Sequence, residues 1–354
     1  MSIYRYVMAT HLRSWGALLT AGLFATAACT ATDDQGTAAG GAPTSDPSFN
    51  SIDQGGTAPA AIACSTDAEG AGDLADWPVG GSANPEIIPL IVSSLVSVGP
   101  SRLLYGVTDG DYRVLNSPDV ATSIDFYALE RDPNVPTQSV EGVFLDTQIS
   151  RGLYRASVDF DCAGEWGAEV SATLPDGSTA TERMRFEVHP VGTTPAIGQP
   201  APRSDSPTAS TIADLRSIST DPNPFPGAFE RTVGEVVAAG QPSLVFFATP
   251  AFCQTGYCGP TVNLVKSVAI DYEDEIGFVN VEPYELHMTE NGLQPKLDAD
   301  GQLQPVQAVL DYGIPIEPYL FLVDAEGDVF AKFEGVVGTD ELRAAIEDAI
   351  AEAA

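Results

Sequence analysis

The apolar positions of this chain change their period part-way along. From Cys64 to Pro190 they come in short stretches divided by turn residues. Gly152-Leu-Tyr-Arg-Ala-Ser-Val-Asp-Phe160 alternates strictly and puts Tyr154, Ala156, Val158 and Phe160 on one face. That is the pattern of a strand with one buried side. Ile87–Val92, Arg102–Val107, Ser123–Leu129, Trp166–Leu174 and Thr181–Val188 read as further strands, with Pro175-Asp-Gly177 as a hairpin turn. Short strands at regular turn spacing predict an all-β sandwich over residues 64–190.

From Thr232 to Ala354 the pattern alternates between strand and helix. Strands are expected at Leu244–Ala248, Ile276–Val281, Tyr319–Val323 and Val329–Phe333. Helices are expected at Pro260–Tyr272, Pro305–Tyr312 and Thr339–Ala353, the last with Ile346 and Ile350 one turn apart. Thr339 is a candidate N-cap, with Asp340 and Glu341 in the first turn. Ala325-Glu-Gly327 turns the last strand pair into a hairpin. The order predicts βαβ, then helix, β-hairpin and helix, an α/β fold over 232–354.

Two stretches carry neither period. Residues 29–63 are small, acidic and polar, and read as a disordered tether. Residues 191–231 hold Pro195, Pro200, Pro202, Pro207, Pro222, Pro224 and Pro226, which predict a semi-extended linker. Ahead of the tether, Arg5 and Arg13 flank an uncharged run from Trp15 to Ala28 that is too short to span a bilayer. Residues 1–28 therefore read as an export signal. Thr26-Ala27-Ala28-Cys29 resembles a bacterial lipobox, which implies lipidation of Cys29 and anchorage to the membrane through that lipid alone. Cleavage after Ala25-Thr26-Ala27, leaving no lipid, is the other reading.

Charge narrows the partners. Sixteen basic residues against 49 acidic ones give a net charge of −33, so the surface repels nucleic acid and anionic membrane. Export permits disulfides. With Cys29 set aside, four of the five cysteines remain. Cys64 with Cys162, and Cys253 with Cys258, form the natural pairs. The first is read as a structural staple between the entry of the sandwich and its later strands.

The second pair concentrates the chemistry. Leu244-Val-Phe-Phe-Ala248 delivers the chain to Cys253, Cys258 follows, and Gly259-Pro260 opens the helical pattern. A thiol at a strand–helix junction meets free amides and the positive end of a helix, which favour the thiolate. On one continuous helix, residues five apart point about 140° away from each other. For the two to bond, Gln254-Thr-Gly256 must loop. Counting back from Tyr272 puts Cys258 near the helix start as the buried thiol and leaves Cys253 more exposed, to attack first. Cys258 also fits the other thiol position, because Tyr257-Cys258-Gly259-Pro260-Thr261 reads as the common motif with its last cysteine replaced.

These features resemble the thioredoxin-like superfamily over about the last 120 residues. The resemblance implies a thioredoxin-like fold and thiol–disulfide exchange with exported protein thiols or disulfides, with no cofactor. It implies a cis-proline facing the pair: Pro318 by its place before Tyr319, or Pro315. The spacing departs from the family, with four residues between the cysteines in place of two. Glu317, beside that proline, is unusual; a carboxylate at the pair would raise thiol pKa, and one turned to solvent would do nothing. Residues 64–190, with Gly152-Leu-Tyr and Ala163-Gly-Glu-Trp166 as landmarks, resemble the immunoglobulin-like modules of exported bacterial proteins.

Other readings stay open. The pair can be a static bridge. Sco-type copper chaperones have a similar fold, and in that reading Cys253, Cys258 and His287 would hold copper, although His287 follows Cys258 closely for that family. Thiol peroxidases space some cysteines by four, but need a threonine where Pro250 stands. The sandwich can also serve as a binding module. Trp77, Trp166, Phe246 and Phe247 read as core, and the acidic stretch around Glu282, Glu285 and Glu290 as a solvated loop.

Overall fold

Eight strands lead the described part of the chain: β1 (Ile87–Ile91), β2 (Gly99–Asp109), β3 (Ala121–Ala128), β4 (Gln138–Glu141), β5 (Val143–Leu145), β6 (Leu153–Phe160), β7 (Gly164–Thr173) and β8 (Thr179–Val188). In the computed structural model, residues 63–64, 74–146 and 152–354 are described. The strands form two antiparallel four-stranded sheets, β1-β2-β6-β5 and β4-β3-β7-β8. The alternating face expected of Gly152–Phe160 is the one buried: Tyr154, Ala156, Val158 and Phe160 share a core with Ile124, Phe126, Trp166, Ala168 and Val170. Trp166 meets Phe160 edge to face at 4.9 Å, a geometry aromatic pairs favour. Trp77 is buried as well, its indole N–H donating to the Pro133 carbonyl at 3.0 Å. The short strands β4 and β5 were not expected. They lie at the sheet edges, and the polar Gln-Ser-Val-Glu of β4 has no apolar alternation to betray it.

The later elements are α1 (Ile212–Ile218), a 3-10 turn at Pro226–Phe229, α2 (Val233–Val237), β9 (Ser243–Phe247), α3 (Cys258–Tyr272), β10 (Gly277–Val281), β11 (Leu286–Thr289), β12 (Gly292–Pro295), α4 (Gln307–Asp311), β13 (Tyr319–Val323), β14 (Val329–Glu334) and α5 (Thr339–Ala353). A third sheet runs β10-β9-β13-β14. β9 and β10 are parallel, while β13 is antiparallel to both β9 and β14. Every residue of β9, β10 and β13 is buried, because both faces of the sheet are covered. Leu244, Phe246, Leu320 and Leu322 share one core with Val262 and Val265 of α3 and with Leu342 and Ile346 of α5. Val245, Phe247 and Phe321 share the other with Val236 of α2 and Tyr312. Among the described residues strand makes up 36% and helix 18%, so this part of the protein is β-rich. At the start of α5 the cap is Gly338, with its N–H bonded to the Glu341 carboxylate, and Thr339 is the first helical residue.

The proline-rich stretch 191–231 is built into this second part. Gly198 donates its N–H to the Val329 carbonyl, Val329 donates to Gln199 and Ala201 donates to Gly327, so the segment runs along the β14 side of the hairpin. Ala209, Leu215, Ala228 and Phe229 enter the core beside α3. The prolines masked those scattered apolar anchors in the sequence. The acidic stretch after β10 holds the β11–β12 hairpin, and Glu285 pairs with Lys296 at 3.1 Å, both half-exposed.

Residues Gly56–Ala354 form one unit, and a charged seam joins its sandwich and α/β parts. Arg102 on β2 grips Glu341 of α5 through Nε at 2.7 Å and Nη2 at 2.8 Å, and donates to the Val336 carbonyl at 2.6 Å. Arg155 lies 3.3 Å from the same carboxylate. Burial works to raise the Glu341 pKa, but Arg102 and Arg155 outweigh it and hold the carboxyl below its ordinary value. A depressed folded pKa contributes stability above the unfolded pKa, and that contribution is lost as pH falls from about 4.3 through the folded value. Thermal melts should show Glu341→Gln well below the native chain at pH 7, with the two converging on acidification. A gap that stays constant with pH would show that the pair adds no charge-dependent stability.

Among the described residues, no helix is long and apolar enough to cross a membrane. The expected signal 1–28, Cys29 and all of the expected tether except Ala63 lie outside the described residues.

Candidate functional site

Two sulfurs lie where β9 hands over to α3. Cys253 and Cys258 are disulfide-bonded, with Cα atoms 5.9 Å apart. The chain between them loops, and Gly256 supplies the left-handed residue at φ +80° that such a loop needs. The helix opens at Cys258 itself, two residues before the expected Pro260. Cys258 is fully buried, whereas Cys253 keeps partial exposure on the preceding loop. No side chain of the N-cap residue Tyr257 closes the start of α3. Instead the Cys258 N–H donates to the Cys253 Sγ at 3.1 Å. The sulfur sits at the positive end of a 15-residue helix, where negative charge on it is favoured.

The wall of the site comes from the residues before β13. The Glu317–Pro318 peptide bond is cis. Glu317 is 2% exposed and turns its carboxylate toward the disulfide. One ligand atom each from Cys253, Cys258 and Glu317 lie within 4.8 Å of one another. Glu317 Oε1 accepts from the Gln254 N–H at 2.8 Å, and Oε2 accepts from the Tyr284 hydroxyl at 2.9 Å. Gln254 Nε2 donates to the same tyrosine oxygen at 2.6 Å, and Thr255 donates to the Glu317 carbonyl at 3.0 Å. Burial pushes the Tyr284 pKa up to about 12, against the lowering effect of Gln254 and with help from the Glu317 charge. The loop between the cysteines is thus tied to Glu317 at two points and to Tyr284 at a third.

A second buried acid lies behind this loop. Glu282, just past β10, accepts from the Thr220 hydroxyl at 2.7 Å, while its Oε2 has no hydrogen-bond partner among the described residues. Burial raises its pKa, offset in part by Thr220 and Thr249. Thr220 also accepts the Ala251 N–H at 3.2 Å, which fixes the chain leading to Cys253. Beside it is a cleft of about 330 Å³ lined by Arg216, Thr220, Asp221 and Leu293, among others.

The structure joins Cys253 to Cys258, sets Glu317 of the cis Glu317–Pro318 bond beside them, and leaves other candidates elsewhere. His287 is exposed on β11 and does not join the group formed by the two cysteines and Glu317. Pro315, the rival to Pro318, carries no cis bond among the described residues. Cys64 and Cys162 are bonded to each other in the sandwich core. Tyr284, Gln254 and Thr255 were not singled out from the sequence. Nothing in the acidic stretch marks Tyr284, because its importance arises only when the chain folds back over the loop.

No family model matches the chain, and no curated protein does either. Two solved structures show limited likeness. The soluble domain of PmoD from Methylocystis sp. ATCC 49242 (Rockwell) is 15% identical with a TM-score of 0.20, over 30% of this chain and 94% of that one. A candidate glycoside hydrolase from Bacteroides vulgatus ATCC 8482 is 14% identical with a TM-score of 0.21, over 60% of this chain and 35% of that one.

Proposed function

We propose that this protein is an extracytoplasmic thiol–disulfide oxidoreductase acting on exported proteins through Cys253 and Cys258. The observation that carries the reading is the asymmetry of the pair. A partly exposed sulfur is bonded to a fully buried one, and the outer sulfur caps the start of a long helix. The outer thiol is reachable by a protein substrate, and the helix end favours its thiolate. The β10-β9-β13-β14 order supports a thioredoxin-like assignment, with β9-α3-β10 parallel and β13–β14 antiparallel. So does the cis Glu317–Pro318 bond ahead of β13. The two antiparallel sheets are in keeping with an immunoglobulin-like module. The two disulfides fit an oxidising compartment, and the lipobox-like segment at Cys29 supports anchorage by lipid.

In the reducing direction, the Cys253 thiolate attacks one sulfur of a substrate disulfide. A mixed disulfide forms and the other substrate sulfur leaves as a thiolate. The Cys258 thiolate then attacks the Cys253 sulfur. The Cys253–Cys258 bond re-forms and the second substrate thiolate departs. Two electrons pass to the substrate, and the reverse order donates a disulfide.

A glutathione or dithiothreitol redox titration, read by alkylation mass spectrometry, tests this. The pair should interconvert at a potential above about −300 mV, in the range of exchanging rather than structural bridges. A pair still oxidised well below that potential would make it a structural closure of the loop.

A further inference from the structure

A carboxylate removed from water is costly unless a cation or several hydrogen bonds compensate it. Glu317 is 2% exposed, yet the partners of its carboxylate are neutral: the Gln254 amide and the Tyr284 hydroxyl. Among the described residues, no lysine, arginine or histidine forms an ion pair with it. Its nearest redox-active neighbours are two sulfurs that become anions together when the disulfide opens and both thiols ionise. The reduced site then gathers two thiolates and a carboxylate around one point, in a chain of net charge −33.

We propose that the reduced form of this site binds one divalent zinc-class cation through Cys253 Sγ, Cys258 Sγ and a Glu317 carboxylate oxygen. The inference rests on the redox reading to the extent that the disulfide must open. Two thiolates with one carboxylate suit Zn²⁺, whereas Cu⁺ gains little from a carboxylate. Zinc sites with three protein donors keep a fourth position for water, with Zn–S at about 2.3 Å and Zn–O at about 2.1 Å. Those bond lengths put the donor atoms about 3.6–3.8 Å apart around a tetrahedral ion. The three donors lie within 4.8 Å of one another while the sulfurs are still bonded. Opening the disulfide moves the sulfurs apart toward that spacing. Gln254 and Tyr284 hold the carboxylate as hydrogen-bond partners hold ligating carboxylates elsewhere.

Binding is linked to redox state with atoms and electrons in balance. A dithiol substrate gives two electrons to the Cys253–Cys258 bond and leaves as a disulfide. The two new thiols lose two protons to solvent as Zn²⁺ binds. A substrate disulfide then takes the two electrons and, with two protons from solvent, leaves as a dithiol, while the Cys253–Cys258 bond re-forms and the ion is released. Zinc would therefore hold the reduced form and delay its reoxidation.

The test uses the full chain, reduced with a phosphine, freed of reductant under nitrogen and titrated with Zn²⁺ against a chromophoric chelator. One ion per reduced chain is expected, with none held at that affinity by the oxidised chain. Glu317→Gln should bind at least ~10-fold more weakly. Glu317→Asp, which keeps the charge on a shorter arm, should fall between. Co²⁺ in place of Zn²⁺ should give the absorption of a four-coordinate thiolate complex in the native chain, and a changed spectrum in Glu317→Gln. Melting curves establish that each variant is folded before it is scored. Equal zinc affinity in the native chain and both variants would overturn the assignment of Glu317. Binding that survives oxidation of the pair would put the ion elsewhere on the acidic surface and overturn the site. A pair that cycles but takes up no zinc overturns this inference alone, while a pair that no reductant opens removes the redox reading with it.

Discussion

Cys258→Ser should accumulate a mixed disulfide between Cys253 and a protein substrate and lose multiple-turnover exchange entirely. Cys253→Ser should lose exchange without trapping anything. The difference follows from burial. Cys258 has no exposed surface, so a substrate sulfur cannot reach it, while Cys253 is partly open. With Cys258 gone, the thiolate at 253 still attacks, but no sulfur stands ready to displace the substrate. The serine oxygen at position 258 is a poor nucleophile toward sulfur, so the intermediate persists. Non-reducing gels with a scrambled disulfide protein, followed by mass spectrometry of the adduct, read the result directly. Equal trapping by the two variants would mean that the roles are not divided as the geometry divides them. Absence of any adduct from Cys258→Ser would remove the exchange mechanism itself.

The burial of Cys258 and the partial exposure of Cys253 were legible in the sequence because local rules decide them. An apolar run buried on both faces has to be a central strand, and a Gly-Pro after the second cysteine has to lie near a helix start. The five-residue separation demanded a loop, and Gly256 at φ +80° is that loop's permissive residue. What the sequence hid is non-local. The alternation of Tyr154 to Phe160 exposes a sandwich strand, but edge strands such as β4 lack apolar alternation and are formed by their neighbours. The segment 191–231 is proline-rich, so its few anchors, Leu215 and Phe229 among them, do not form a period; they pack because the face of α3 offers them a surface. Glu317 was conspicuous beside Pro318, yet its orientation depends on Tyr284, 33 positions earlier. A carboxylate on a loop points to solvent unless something holds it inward. Here the Gln254 amide and the Tyr284 hydroxyl both do, and no pattern along the chain announces that meeting.

Replacing Cys64 and Cys162 together with alanine should cost the protein about 5 kcal/mol of stability, the largest loss expected from any pair of small changes here. The two are 98 positions apart, so their bond restrains a large loop in the unfolded chain. On a chain-entropy basis a closed loop of about 100 residues stabilises by ~4.7 kcal/mol, whereas a loop the size of the Cys253–Cys258 closure gives roughly half of that. The native surroundings add to the difference. Cys162 is fully buried and Cys64 nearly so, so the sulfurs themselves fill core volume. Cavities left by the lost sulfurs would fall beside Trp166 and Phe160, in the middle of the sandwich core. Reductant should therefore act in two steps. The Cys253–Cys258 pair opens first, through its exposed sulfur, with a modest fall in melting temperature. The Cys64–Cys162 pair resists until the sandwich itself loosens. Denaturant titrations of the double-alanine variant, beside the native chain under mild and strong reduction, measure both steps. If the variant unfolds at the same denaturant concentration as the native chain, the bridge does not stabilise the sandwich and the staple reading fails. If both pairs open together under mild reductant, burial does not separate them, and the exposed edge of Cys253 has no special access to solvent thiols.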